Sequence, residues 1–303
     1  MTIINQKKKL QTTIKIGLFS RKGGVGKTFT TEQLAAFFAN DGYKVCIVGC
    51  DDQEDLTDDL LSNTEFEELE DAEKITLWNI LEDTVPSDTV PYYYTTPYQA
   101  FNYFAYAPDQ FESAEQITVT RTLRRNEYYQ IAIIPAHDMI ESIDYADKST
   151  FYLEERLSPY IKDFDIVLFD TPRAHKQDTW INQIYRTCDY AICNVEANQK
   201  CLPTIARTLS DINVAHSIGA KIEFLGIVIG RYFPNRSTAR QMYEFLADNY
   251  NVIGRPVREG AVYVNSQFET APLASYEMAN LTKDIYTVYA DILYSIGLGG
   301  SEE

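Results

Sequence analysis

The stretch from residue 14 to residue 39 leaves the chain little freedom. An apolar run, Ile14-Lys15-Ile16-Gly17-Leu18-Phe19-Ser20, enters Arg21-Lys22-Gly23-Gly24-Val25-Gly26-Lys27-Thr28, and a helical pattern over 32–39 leaves it. Strand, Gly-rich turn and helix together form the context of a loop that wraps a phosphate. Glycines let the backbone curl so that successive N–H groups converge on one anion, and the helix N-terminus adds its positive end. Lys27 is placed to reach the β- and γ-phosphates, and the Thr28 hydroxyl to ligate Mg²⁺. An ordinary turn has no use for a Lys-Thr pair in that register.

The rest of the chain repeats the strand–helix alternation. Apolar runs at 44–50, 130–135, 165–170, 189–195 and 222–229 read as buried strands, with a last strand and loop over 253–264. Helical patterns lie at 76–81, 151–161, 200–212, 237–249 and 277–296. The expectation is an α/β fold: a single P-loop NTPase domain with a mostly parallel sheet of about seven strands and helices on both faces. Residues 14–296 form that domain, between a flexible arm (1–13) and a flexible tail (297–303). The segment from about 86 to 129 has no clear period and carries Tyr92, Tyr93, Tyr94, Tyr98, Phe101, Tyr103, Phe104, Tyr106 and Phe111. It reads as an insertion, either a packed loop or hairpin or an exposed protein-binding patch.

Two strands end in carboxylates. Asp51 follows the second strand and Asp170 ends the 165–170 run, which continues Thr171-Pro172-Arg173 in the manner of a Walker B strand and its switch loop. Asp170 is expected to hold Mg²⁺. Each Asp could also simply cap the helix that follows. The acidic run over 51–73 reads as a solvated face or a docking surface for a basic partner.

The loop departs from the usual P-loop, with Arg21 for the first Gly and a lysine at 22. It resembles the deviant loop of the ParA/MinD family, in which that early lysine is the signature residue. The resemblance extends from Lys15 to about Ile296 and implies ATP and Mg²⁺ as cofactors, with Lys22 reaching the partner subunit's nucleotide in a homodimer. It implies that Asp51 orients the attacking water and can help hold the metal. Nucleotide contacts fall on Lys22, Gly23, Gly24, Val25, Gly26, Lys27, Thr28, Phe29 and Arg231, and metal contacts on Thr28, Asp51 and Asp170. The catalytic set is Lys22, Lys27 and Asp51. Gly49 and Asp52 replace an Asp and a Pro of the family's pattern, and Gly230 replaces the Asn that recognises adenine.

Other residues choose among the branches. An iron–sulfur cluster needs a cysteine soon after Asp170, and the next is Cys188. The five cysteines form no CxxC pair and suit a reducing cytoplasm. The acidic end, Ser295-Ile296-Gly297-Leu298-Gly299-Gly300-Ser301-Glu302-Glu303, is unlike a membrane-targeting helix. What remains resembles short ParA-type partition ATPases, which lack a helix-turn-helix domain. That implies a dimer that binds DNA without sequence preference and is released when a ParB-like or adaptor protein stimulates hydrolysis. The net charge of −17 argues against nucleic acid in general. Yet residues 201–265 carry seven basic side chains against five acidic ones. Arg236 falls where relatives have a DNA-contacting arginine, and Arg240 lies one turn further on. The alternative is a relative that positions a protein cargo without touching DNA.

Overall fold

Alternation along the apolar runs decides how they pack. Val45 and Ile47 belong to one core with Ile16, Leu18, Ile166 and Leu168. Cys46 and Val48, one residue out of phase, belong to a second core with Phe19, Val167 and Phe169. A strand places successive side chains on opposite faces, so these strands are buried on both.

The computed structural model describes residues 10–53, 56, 76–84, 92–95, 130–173, 178–259 and 280–299. Its strands are β1 (Ile14–Phe19), β2 (Val45–Gly49), β3 (Tyr92–Thr95), β4 (Gln130–Ile134), β5 (Ile166–Asp170), β6 (Tyr190–Glu196) and β7 (Glu223–Gly230). They form one seven-stranded sheet in the order β3-β4-β2-β5-β1-β6-β7. Six strands run parallel, and β3 closes one edge antiparallel to β4, with Tyr92 opposite Ile133.

The helices are α1 (Lys27–Asn40), α2 (Leu77–Leu81), α3 (Tyr152–Ile161), α4 (Asp178–Thr187), α5 (Cys201–Ser217), α6 (Ser237–Asn249) and α7 (Asn280–Ser295). α1 and α7 cover one face of the sheet through Phe37, Phe38, Ile285 and Tyr289. α2, α3 and α4 cover the other through Leu77, Leu153 and Trp180. Phe37 and Phe38 are fully buried, and each such burial contributes roughly 1.5–3 kcal/mol.

The expected last strand over 253–264 is not a strand where it is described. It makes isolated bridges, Ile227 to Val252 and Tyr232 to Arg258, and the Val257 N–H donates to the Ile229 carbonyl at 2.7 Å. Gly254, at φ 64°, turns the chain between them. The seventh strand is instead β3, from the aromatic segment, of which only 92–95 is described. Of the acidic run, 54–55 and 57–73 lie outside the described residues. Near the ends, Leu10 packs on the first core, Thr13 Oγ1 donates to the Phe164 carbonyl at 2.8 Å, and Leu298 is buried.

The strand order positions the site. α1 carries the chain from β1 past β5 to β2, leaving β5 between them. Leu18 and Gly49 are both in register with Asp170. The loop after β1, Asp51 after β2 and Asp170 at the end of β5 therefore meet at the carboxyl edge, where the strand order opens a crevice.

Candidate active site

Phe19 ends β1, and the chain turns through 20–26 before α1 begins at Lys27. Gly24 (φ 70°) and Gly26 (φ 82°) lie in the left-handed region, where a side chain is disfavoured. Gly23 does not. It has a different need: a Cβ there would lie 3.1 Å from Arg173 Cδ and 3.2 Å from its Nε. Gly26 caps α1, and its carbonyl accepts the Thr30 N–H at 2.9 Å. The N–H groups of the first turn have no intrahelical partner and face the crevice as anion donors. Phe29 turns its ring into the core, so only its backbone N–H could serve a nucleotide.

Lys27 is nearly buried between two carboxylates. Its Nζ is 3.3 Å from Asp170 Oδ1 and 3.7 Å from Asp51 Oδ2. The Thr28 hydroxyl donates to Asp170 Oδ2 at 2.9 Å. Burial pushes the Asp51 carboxyl up to about 6, against the pull of Lys27 and of the Gln53 N–H, while the Asp170 charge adds to the rise. Two carboxylates and a hydroxyl form a hard-oxygen set that suits Mg²⁺, which keeps most of its waters and takes one or two carboxylates from a protein. Asp170 Oδ1 accepts no hydrogen bond among the described residues, so a lone pair is left for a metal-bound water. The residues present therefore fit the ion.

A second group of charges lies at the ends of β6 and β7. Lys22 Nζ is ion-paired with Glu196. Glu196 also lies 3.6 Å from Arg231 Nη1 and accepts from Asn198 Nδ2 at 2.8 Å. Arg231 donates to the Gly24 carbonyl at 3.1 Å and pairs with Glu259 at 3.1 Å. These contacts hold Arg231 at φ 48°, an unusual backbone for a residue with a side chain.

Two of the departures from the family's pattern, Gly230 and Gly49, have steric causes. A Cβ at Gly230 would fall 2.2 Å from the Val25 carbonyl, so the loop itself fills the place of the family's Asn side chain. A Cβ at Gly49 would fall 2.8 Å from the Ala136 nitrogen. Gly230→Ala is expected to destabilise the fold by about 1–3 kcal/mol, the range for forced overpacking. Thermal unfolding measures this, and an unchanged midpoint would mean that the loop yields freely.

The structure thus brings together Lys22, Gly23, Gly24, Val25, Gly26, Lys27, Thr28, Asp51, Asp170 and Arg231. Arg236 and Arg240 form a separate group at the start of α6. The Arg236 guanidinium stacks on Phe233 at 3.9 Å, and Arg240 Nη1 donates to the Pro234 carbonyl at 2.9 Å. Both are exposed, and among the described residues neither meets a carboxylate.

Arg173 belongs to the switch loop after Asp170, whose residues were expected to sense the γ-phosphate, though no role was assigned to this side chain. Two residues escaped the reading of the sequence. Glu196 had one signal, its place at the carboxyl end of a parallel strand. Asn194 is fully buried in β6 and donates to Thr30 Oγ1 at 3.0 Å, tying β6 to the first turn of α1; a lone polar residue in an apolar run was its signal.

A family model described as an AAA domain matches residues 13–223. No curated protein matches the chain in sequence. Among solved structures, Cyanothece McdA in an ATP complex superposes with a TM-score of 0.65 at 19% identity, covering 96% of this chain and 99% of its own. A Borrelia burgdorferi plasmid partition protein gives 0.62 at 15% identity, over 94% and 99%. Cobyrinic acid a,c-diamide synthase from Mycobacterium smegmatis, with an ATP analog and magnesium, gives 0.59 at 17% identity, over 89% and 94%. At these identities the likeness shows the fold.

Proposed function

The chain belongs to the AAA-domain family of ParA/MinD-type P-loop proteins, and from that premise we propose that it is an ATP-switched segregation ATPase. One observation carries the nucleotide half of this reading: Lys27, Thr28, Asp51 and Asp170 converge at the ends of three neighbouring strands.

In this reading the loop N–H groups and Lys27 bind the β- and γ-phosphates of ATP. Thr28 and Asp170 would hold Mg²⁺, which would supply positive charge against the phosphoryl groups. Asp51, 3.7 Å from Lys27 Nζ, orients the attacking water and accepts its hydrogen bond. Lys22 leaves Glu196 and reaches the partner's phosphates across an ATP sandwich dimer, where a cation in trans stabilises charge on the bridging oxygen.

The uncompensated guanidinium groups of Arg236 and Arg240 support the DNA half. The other basic residues of this region for which a carboxylate contact is recorded are already neutralised: Arg207 by Asp211, Arg231 by Glu196 and Glu259, and Arg258 by the buried Asp284. Phosphate-backbone binding needs a local basic face rather than a basic protein. The activating partner is a ParB-like or adaptor protein. No helix among the described residues is long and apolar enough to cross a membrane.

Retention on non-specific duplex DNA tests this, with ATP, with ADP and without nucleotide, at low and moderate salt. Retention with ATP alone is expected, lost in Arg236→Ala/Arg240→Ala and weakened steeply by salt. Hydrolysis without retention in any state would overturn the DNA half and favour a protein cargo, in keeping with the net charge of −17.

A further inference from the structure

Gly23 and Arg173 raise a question the rest of the site does not answer. Gly24 and Gly26 are glycines because of their positive φ, but Gly23 has an ordinary backbone. What Gly23 provides is space. Arg173 Cδ, Nε and Nη1 lie 3.1, 3.2 and 3.3 Å from where its Cβ would be, so the guanidinium lies along the loop's backbone.

The arm that delivers Arg173 is rigid. Thr171 is fully buried and its hydroxyl donates to the Leu18 carbonyl at 2.6 Å, on the strand that feeds the loop. Pro172, also buried, fixes its own φ. Arg173 is exposed at the end of this two-residue arm, three residues past Asp170. Its position is thereby referenced to both the loop and the metal carboxylate.

Lys27 faces two carboxylates, and Lys22 and Arg231 share Glu196. A triphosphate brings more negative charge than a diphosphate, and the Arg173 side chain lies beside the loop that would wrap it. An arginine presents a planar fork that matches two phosphoryl oxygens at once, and it stays charged at any working pH.

We infer that Arg173 is a ligand of the terminal phosphoryl group, bound in cis from the switch side of the loop, and that it makes the site prefer a nucleoside triphosphate over a diphosphate. This rests on the reading of the loop as a nucleotide site. A diphosphate leaves the guanidinium on Gly23, whereas a triphosphate draws it off.

The test is calorimetric titration with Mg²⁺ and either AMPPNP or ADP, so that no turnover intervenes. Arg173→Ala is expected to weaken AMPPNP about tenfold or more while ADP stays within about twofold, and Arg173→Lys to recover part of the loss. Equal weakening of both nucleotides, or no change in either, would overturn the inference. Failure of the parent to bind either nucleotide would overturn the underlying reading instead. Circular dichroism of the variant establishes that the fold is intact, and Gly23→Ala gives an independent approach. A methyl group there displaces the guanidinium without removing it, so it should also cut the AMPPNP preference; an unchanged preference counts against the inference.

Discussion

Lys27→Ala is expected to lower ATP affinity by about a hundredfold or more. In the proposed site the ammonium would make charge-assisted contacts to phosphoryl oxygens, each contributing about 1.5–3 kcal/mol, and two such contacts span about two to four decades in affinity. The variant has a second effect that must be kept apart from the first. In the parent, Lys27 is the cation between Asp51 and Asp170, all three nearly buried. Removing it leaves two carboxylates facing each other without compensation, a change that costs about 3–5 kcal/mol when a buried pair is broken. Asp51 relieves part of this by holding its proton, since burial already pushes it up to about 6. The single variant should therefore melt earlier as well as bind poorly. Adding Asp51→Asn removes the repulsion, so the double variant should regain much of the melting temperature and none of the nucleotide binding. Recovery of both together would mean that Lys27 serves the fold and not the phosphate.

Lys22→Ala is expected to do the reverse, leaving ATP affinity within a few fold and removing hydrolysis. Lys22 is half-exposed and its partner Glu196 is near the surface, so losing that ion pair costs about 1 kcal/mol or less. The catalytic contribution expected of it is of another order, since a cation supplied to the phosphoryl group in trans contributes about 10³–10⁵ in rate. Complementation tells whether it acts on its own nucleotide or its neighbour's. A Lys22→Ala subunit keeps Asp51 and needs a lysine from elsewhere. An Asp51→Asn subunit keeps Lys22 but cannot orient the water. Each alone should be inactive, and a mixture should hydrolyse ATP at the one competent site of each mixed dimer. A mixture as dead as its components would exclude the trans role. Hydrolysis by Lys22→Ala alone at the parent rate would exclude any role.

Much of the site was legible because it is local. The order Lys22 to Thr28 is a contiguous instruction: Gly24 and Gly26 where φ is positive, then Lys and Thr at the helix start. Asp51 and Asp170 were legible because an apolar strand that ends in a carboxylate delivers it to the sheet's carboxyl edge. The β3 strand was not, because a run of tyrosines has the same pattern in a packed hairpin, a loop or an edge strand, and only pairing with β4 separates them. The segment after Ile253 was misjudged for the complementary reason. It is apolar enough for a strand, but the turn at Gly254 and the bond from Gly254 N–H to Asp291 divert it toward α7.

The sequence by itself determined the fold class and the course of the loop, because backbone preference and strand alternation act over a few neighbours. Tertiary structure alone decided who meets whom. Glu196 lies 174 residues from Lys22 and Arg231 lies 207 from Gly24, and no local pattern couples such positions. The same holds for Gly230, which is a glycine because the Val25 carbonyl occupies the space of its side chain. Contacts of that kind follow from strand order, which is set by the packing of the whole sheet.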